Sequence, residues 1–311
     1  MWAITSYFNP VGFKRRLSNY RIFRANLAVP LVAVELSFDD RFELTDGDAD
    51  ILIQLSGGAI LWQKERLLNL ALKAVPSEVR NIAWLDCDVI LERADWAEEA
   101  KRQLNACNVI QLFSAAALVS PEDYERRTDR LNGEASVPGI ASLSNASELL
   151  SLAKRDQDRI KAASNKQMLF HPGLAWAAKR QLLEDHGFYD VSIVGGGDEL
   201  MAAAMYGQYE SLMKKFSLNS ARQQHYLKWA VPFQKSVTAC IGHVSGTIYH
   251  LAHGATKNRA YRVRQERLAG FDFNPDTDLK VGANGAWHWA RSRPDLEDFL
   301  KAYFIRRAED E

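Results

Sequence analysis

The run of residues 27–36 is apolar and rich in valine, and it reads as a strand buried on both faces. A strand with no wet face needs cover on both sides of its sheet, which directs the chain to a layered α/β architecture. Its surroundings agree. Residues 1–6 read as a short strand that breaks at the turn pair Asn9-Pro10, and residues 15–23 read as a helix. Strand, helix, strand opens an α/β sheet, and 311 residues are enough to bury a substantial core.

Further along, residues 62–75 carry leucine and alanine at helical spacing and leave Lys64, Glu65, Arg66 and Lys73 for the wet face. Residues 81–85 form a brief strand that ends in Asp86-Cys87-Asp88, and residues 109–113 form another. Residues 120–166 turn polar, punctuated by Pro121, Gly133, Pro138 and Gly139, with one helix expected over 146–163. His171-Pro172-Gly173 reads as a turn and 179–186 as a short helix closed by Gly187. Gly195-Gly196-Gly197 reads as a hinge-like loop before a helix over 198–216. A strand over 247–251 then turns at His253-Gly254 into a basic segment with Lys257, Arg259, Arg262, Arg264 and Arg267, and 294–306 closes with a helix.

Charge narrows the function classes. Lysine and arginine total 39, as do aspartate and glutamate, so the basic excess of an extended nucleic-acid footprint is missing. The basic run after Gly254 interleaves Tyr261, Val263 and Leu268, the pattern of a solvated face with one packed side. No run approaches the roughly 20 apolar residues of a membrane span, and no signal-type segment opens the chain. Cys87, Cys107 and Cys240 are isolated and odd in number, which predicts reduced thiols and a cytoplasmic setting, without a disulfide framework or a metal knuckle.

Three short stretches could carry chemistry. Asp86-Cys87-Asp88 follows a strand, and ligands of open α/β sheets collect beyond the carboxyl ends of strands. Such a pair places one carboxylate on a divalent cation and the other on a ribose hydroxyl or metal-bound water, although ordinary loops share the spacing. In His250-Leu251-Ala252-His253-Gly254, residues three apart face opposite sides of a straight strand. The imidazoles converge only if the chain turns near Ala252, which Gly254 permits; otherwise one is a core residue and the other solvated. Converged, they favour manganese, zinc or iron over magnesium. In Gly195-Gly196-Gly197-Asp198-Glu199, glycines allow close backbone approach and Asp198 reads either as a helix cap or as a general base. No Lys-Ser or Lys-Thr follows, so this is not a phosphate loop.

In motif order these pieces resemble the GT-A glycosyltransferases. The resemblance rests on Asp86-Cys87-Asp88 after a strand, the preceding helix Lys64-Glu65-Arg66-Leu67-Leu68-Asn69, the later Gly196-Gly197-Asp198-Glu199 and the late histidine pair. Across residues 1–267 it is nearest the branch of β-1,4-galactosyltransferases, polypeptide N-acetylgalactosaminyltransferases and bacterial chondroitin polymerases. It implies an α/β fold, a Rossmann-like nucleotide-binding sheet flanked by helices with an acceptor-side subdomain. Residues 1–119 would bind the nucleotide sugar, 120–170 form a helical insertion, 171–270 the acceptor and catalytic part with a lid, and 271–311 a C-terminal extension.

The resemblance also implies roles. Asp88, His253 and His250 would hold Mn2+ (or Mg2+), Asp86 would approach the ribose, and Lys64 the diphosphate of a UDP-sugar. Ser6, Asn9, Lys257 and Arg259 would complete the donor site, with Gly196 and Gly197 on the acceptor side. Asp198 would be the base of an inverting transfer to a hydroxyl, although the family's Gly-Gly-Glu-Asp reads Gly196-Gly197-Asp198-Glu199 here and leaves Glu199 as the other choice. Ile193-Val194 stand where an aromatic residue usually precedes the glycines. Trp287 and Trp289, after a loop with Gly282 and Gly285, are the acceptor-stacking candidates. The stem and anchor of the Golgi enzymes are missing, which favours a bacterial or phage-like enzyme of glycan or polysaccharide synthesis, cytoplasmic and at most peripheral to the inner membrane.

Such a site makes physical sense. A divalent ion with Lys64 or Arg259 would stabilise the charge on a departing diphosphate, and Asp198 would take the acceptor's proton. Two other readings use the same residues. A metal-dependent phosphoester hydrolase or nucleotidyltransferase would require a second metal cluster, which the sequence does not offer. A non-catalytic nucleotide-sugar-binding protein would not require intact Asp88, Asp198 and His253.

Overall fold

The computed structural model describes residues 1–125, 136–152, 154–163, 168–237 and 240–311. Its strands are β1 (Trp2–Phe8), β2 (Leu31–Ser37), β3 (Ile51–Ser56), β4 (Asn81–Leu85), β5 (Val89–Leu91), β6 (Val109–Gln111) and β7 (Ala115–Val119). They continue with β8 (Val137–Pro138), β9 (Ala175–Lys179), β10 (Ile241–His243), β11 (Thr247–Leu251), β12 (Leu279–Val281) and β13 (Trp287–Trp289). Among the described residues they form a seven-stranded sheet in the order β10-β6-β9-β4-β1-β2-β3, a four-stranded sheet β5-β11-β7-β8 and the pair β12-β13. In the large sheet β9 runs antiparallel to β4 and β6, and the other ladders are parallel. The molecule is therefore a mixed α/β protein with a central, mostly parallel sheet flanked by helices.

The valine-rich run behaves as its composition demands: all of β2 is buried. Alternate side chains of β1 and β2 enter two different cores, as the two-residue period of a strand requires. Ile4, Val32, Val34 and Leu36 pack with Leu67, Leu68, Ala71 and Leu72 of α2 (Lys64–Ala74), where α1 is Lys14–Ala25. Ala3, Tyr7, Leu31 and Ala33 pack on the other side with Tyr20 and Phe23 of α1 and Trp96 and Ala100 of α3 (Trp96–Gln103).

Several sequence expectations shift. The strand expected at 27–36 starts only at Leu31, because Pro30 lacks the N–H that a strand interior needs. The helix expected over 198–216 is two, Gly197–Met205 and Tyr209–Lys215, parted at Gly207, which takes φ +67°. That over 146–163 is also two, Ala146–Ser151 and Lys154–Ala163, because Leu152 turns extended. Gly133 and Lys166 lie outside the described residues. β3, β9 and the helix Ser220–Ser236 carry no expectation from the sequence. No described helix is long and apolar enough to cross a membrane.

The expectation of three reduced thiols is corrected. Cys107 and Cys240 form a disulfide with their Cα atoms 4.9 Å apart, and Cys87 is the free cysteine. The two residues are 133 apart in sequence, but each lies just before one of two adjacent parallel strands, β6 and β10, paired Val109 to Ile241. Parallel register brings equivalent strand entrances together, a fact invisible in the spacing of cysteines along the chain.

Candidate active site and metal centre

The backbone assembles the site before any side chain is considered. β4 ends at Leu85, whose carbonyl accepts from Thr5 Oγ1 at 2.8 Å, and the N–H of Asp86 donates to Leu174 O at 2.7 Å. Asp86-Cys87-Asp88 then carries the chain out of the large sheet into β5 of the smaller one. β11 runs antiparallel to β5 with His250 opposite Val89, and the Leu251 N–H donates to Asp88 O at 2.9 Å. This register sets His250 beside Asp88. The chain turns after Leu251, Gly254 takes φ +61°, and His253 comes back toward the same carboxylate.

Asp88 Oδ2 lies 2.9 Å from His253 Nε2 and 3.6 Å from His250 Nε2. One ligand atom from each of the three residues falls within a 4.8 Å group. The expected turn near Ala252 thus produces convergence, with ring centroids 5.5 Å apart. All three side chains fit a divalent metal. Asp88 Oδ1 is buried without a hydrogen-bond partner, and burial lowers the pKa of His250, which favours the neutral ring that a metal needs. One carboxylate with two imidazoles suits manganese, iron or zinc better than magnesium. A third imidazole, His171, faces His250 with ring centroids 6.5 Å apart. Burial, with His250 and Arg259 nearby, pushes its pKa down to about 3.

A second group of charges stands beside the first. Lys64, at the start of α2, is buried and bridges two acids: Nζ contacts Asp86 and lies 2.9 and 3.0 Å from the two carboxylate oxygens of Asp198. Burial alone would lower the lysine's pKa, but Asp198 and Asp86 raise it well above its usual value. Asp86 moves up to about 6, because burial and the neighbouring Asp198 outweigh Lys64. Asp198 does not cap its helix; Gly196 occupies the N-cap position. The approach of Asp198 depends on Gly173, where a Cβ would lie 2.7 Å from Asp198 Oδ2. Glu199, the alternative base, pairs with Lys215.

These residues line one cleft of about 590 Å3. Ser6, Lys64, Asp86, Asp88, Gly196, Asp198, Glu199, His250, His253, Lys257 and Arg259 are all on its wall. Asn9, Gly197, Trp287 and Trp289 are not. Asn9 is engaged with Phe13 and Glu43, and Gly197 packs its backbone against Glu65. Trp287 donates from Nε1 to Asp190 O at 2.8 Å and lies under Arg66, and Trp289 is its neighbour on β13.

The cleft also takes residues that the sequence reading does not single out, among them Arg16, Trp62, His171 and Arg307. Trp62 had a signal, standing two residues before Lys64 at the same helix start. His171 had a weaker one in its His-Pro-Gly turn, whereas Arg16 on an ordinary basic helix and Arg307 in a polar tail had none. The Trp62 ring stacks on Phe304 at 6.4 Å and 4°, and Arg307 covers it at 5.2 Å.

No protein-family model matches the chain, and no curated protein sequence is significantly similar to it. Among solved structures, S. aureus TarS (residues 1–349) is similar over 98% of this chain and 70% of that one, with 13% identity and a TM-score of 0.41. Glucosyl-3-phosphoglycerate synthase from Mycobacterium tuberculosis, in complex with Mn2+, uridine diphosphate and phosphoglyceric acid, is similar over 93% and 85%, with 12% identity and a TM-score of 0.39. Both scores fall below 0.5, and the case for function rests on this chain's own side chains.

Proposed function

We propose that the chain is a metal-dependent glycosyltransferase of the GT-A type, which moves a hexose or N-acetylhexosamine from a UDP-sugar to a hydroxyl acceptor with inversion. The observation that carries this reading is one cleft holding both the Asp88/His250/His253 set and, held apart by Lys64, the carboxylate of Asp198. A phosphoester hydrolase using two metals fits less well, since a single such ligand set occurs among the described residues.

Asp88, His250 and His253 would hold the divalent ion, which supplies positive charge for the diphosphate that departs. Arg259, half-buried on the same wall with a buried and unpartnered Nε, faces that region and adds charge to it. Lys64 grips both oxygens of Asp198 and so fixes the direction of its carboxylate, which a flexible surface acid would lack. In the transfer the bond from the acceptor oxygen to the anomeric carbon forms as the bond to the diphosphate breaks. The diphosphate keeps the electron pair, and the hydroxyl proton passes to Asp198.

Calorimetry of UDP with and without Mn2+ tests the reading. Binding should tighten with Mn2+ in the wild type and lose that gain in Asp88→Asn. Equal affinity in the two conditions refutes it. A screen of nucleotide sugars for Mn2+-dependent hydrolysis would then identify the donor.

A further inference from the structure

The residues that follow the helix Pro294–Arg306 do not hang from the molecule; they pass behind the proposed metal centre. Glu309 is among the most buried acids of the chain, 1% exposed. It pairs with Arg16 Nη1 at 2.9 Å and with Arg307, and its Oε1 lies 3.4 Å from His253 Nδ1. That ring nitrogen is buried and has no hydrogen-bond partner, so the Glu309 carboxylate is the acceptor within its reach. Asp310 accepts from the backbone N–H groups of Lys14 at 3.1 Å and Arg15 at 2.8 Å, capping the start of α1 from outside, where Phe13 provides no side-chain cap. Gly254 lies under the same strap: a Cβ there would meet Arg307 O at 2.6 Å and Ala308 O at 2.8 Å.

We propose that Glu309 is a positioning residue of the metal site, holding the His253 imidazole so that Nδ1 carries the proton and Nε2 presents its lone pair beside Asp88. The inference rests on the metal reading above and deepens it. The chemistry is that of an outer carboxylate behind a ligating histidine, which fixes the tautomer and the ring plane and makes the imidazole a stronger donor. Geometry supports it from both ends of the ring. Nε2 already faces Asp88 Oδ2 at 2.9 Å, and Arg259 Nη2 lies 2.9 Å from the same nitrogen. Two of the three charged groups around the ring favour a proton on Nδ1: the guanidinium of Arg259, which can only donate to Nε2, and the carboxylate of Glu309 beside Nδ1. Asp88, which can only accept, pulls the other way until a cation takes its charge. Arg16 and Arg307 pair with the Glu309 carboxylate and hold it in place. The strap from 307 to 310 thereby couples the entrance of α1, the turn at Gly254 and the ligand His253.

The test measures Mn2+ alone by calorimetry on the full chain for the wild type, Glu309→Ala, Glu309→Gln and Asp88→Asn. Long-range 1H–15N NMR of the metal-free wild type reads the tautomer, with the His253 signals assigned by their loss in His253→Gln. We expect the Nδ1–H tautomer and a Mn2+ affinity lowered about 10–100-fold in Glu309→Ala. The loss should be smaller in Glu309→Gln, whose amide oxygen still accepts from Nδ1–H. An Nε2–H tautomer in the wild type overturns the proposal, even if Glu309→Ala does not fold. So does wild-type Mn2+ affinity in both Glu309 variants alongside its loss in Asp88→Asn. Undiminished Mn2+ binding by Asp88→Asn instead removes the metal reading itself, and this inference with it.

Discussion

Lys64 serves two acids with one ammonium group, and this makes it the residue whose loss the cleft should tolerate least. Removing it leaves the half-buried Asp86 and Asp198 facing one another without compensation, and their partial exposure keeps the cost below the ~3–5 kcal/mol of a fully buried stranded charge. Lys64→Met should therefore lower the urea midpoint, and adding Asp198→Asn to it should recover part of the loss. Equal midpoints for Lys64→Met and the wild type would show that solvent already neutralises the pair. If Asp198 removes the acceptor proton, Asp198→Asn alone should keep UDP and Mn2+ binding while lowering transfer by roughly 10²–10⁴-fold. Glu199→Gln should leave transfer nearly intact; the reverse result reassigns the base. Glu309 makes a prediction about pH. Its folded pKa is depressed, so its contribution to stability is complete above the unfolded value of about 4.3 and is lost as pH falls below it. Glu309→Gln should flatten the acid side of the melting-temperature profile, and parallel profiles for variant and wild type would contradict this. At this scale the sequence is informative where a motif is local. Asp86-Cys87-Asp88, Asp198 and the turn that joins His250 to His253 can all be read from short windows. Glu309 and Arg307 cannot, because their partners Arg16 and His253 are distant in sequence and nothing in a polar tail marks burial.

Elements tell a similar story through register. Strands with continuous apolar runs, β2 and β4, and helices with a clear periodic face, α2 and Pro294–Arg306, stand within a few residues of where the sequence places them. β9 escapes because Ala175-Trp176-Ala177-Ala178-Lys179 is equally consistent with a helix; its antiparallel position between β4 and β6 is a decision of the tertiary fold. The disulfide is the sharpest case, since it depends on β6 and β10 being adjacent and parallel. Alkylation of the unfolded, unreduced protein should label Cys87 alone, and prior reduction should expose all three cysteines. Labelling of all three without reductant would mean the bond does not form. Because the bond closes a long loop, Cys240→Ser should destabilise the fold by about 2–4 kcal/mol in urea unfolding under non-reducing conditions.

Across the whole molecule, the cleft lies where the two larger sheets separate, with the Asp86-Cys87-Asp88 connection as its floor and the basic segment after Gly254 as one wall. The segment after Gly254, which the resemblance places in a lid, has two structurally distinct parts. Thr256–Arg259 form a short turn at the mouth of the cleft, with Tyr261 exposed. The helix Val263–Ala269 is anchored instead: Arg264 and Gln265 are buried, and Gln265 Nε2 donates to Gly195 O at 2.8 Å. Gln265 Oε1 also accepts from Arg222 at 3.2 Å, and Arg264 donates to Tyr303. Few buried contacts mean a low cost of local opening, so the two halves should differ in hydrogen exchange before any ligand is added. Amides of 256–262 should exchange quickly in the free protein and those of the helix slowly. UDP with Mn2+ should then slow the first group, because Lys257 and Arg259 gain an anionic partner, and leave the second almost unchanged. Uniform exchange across 256–269 in the free protein would make the two parts a single lid, whereas protection of 256–262 that ignores UDP and Mn2+ would remove this segment from donor binding altogether.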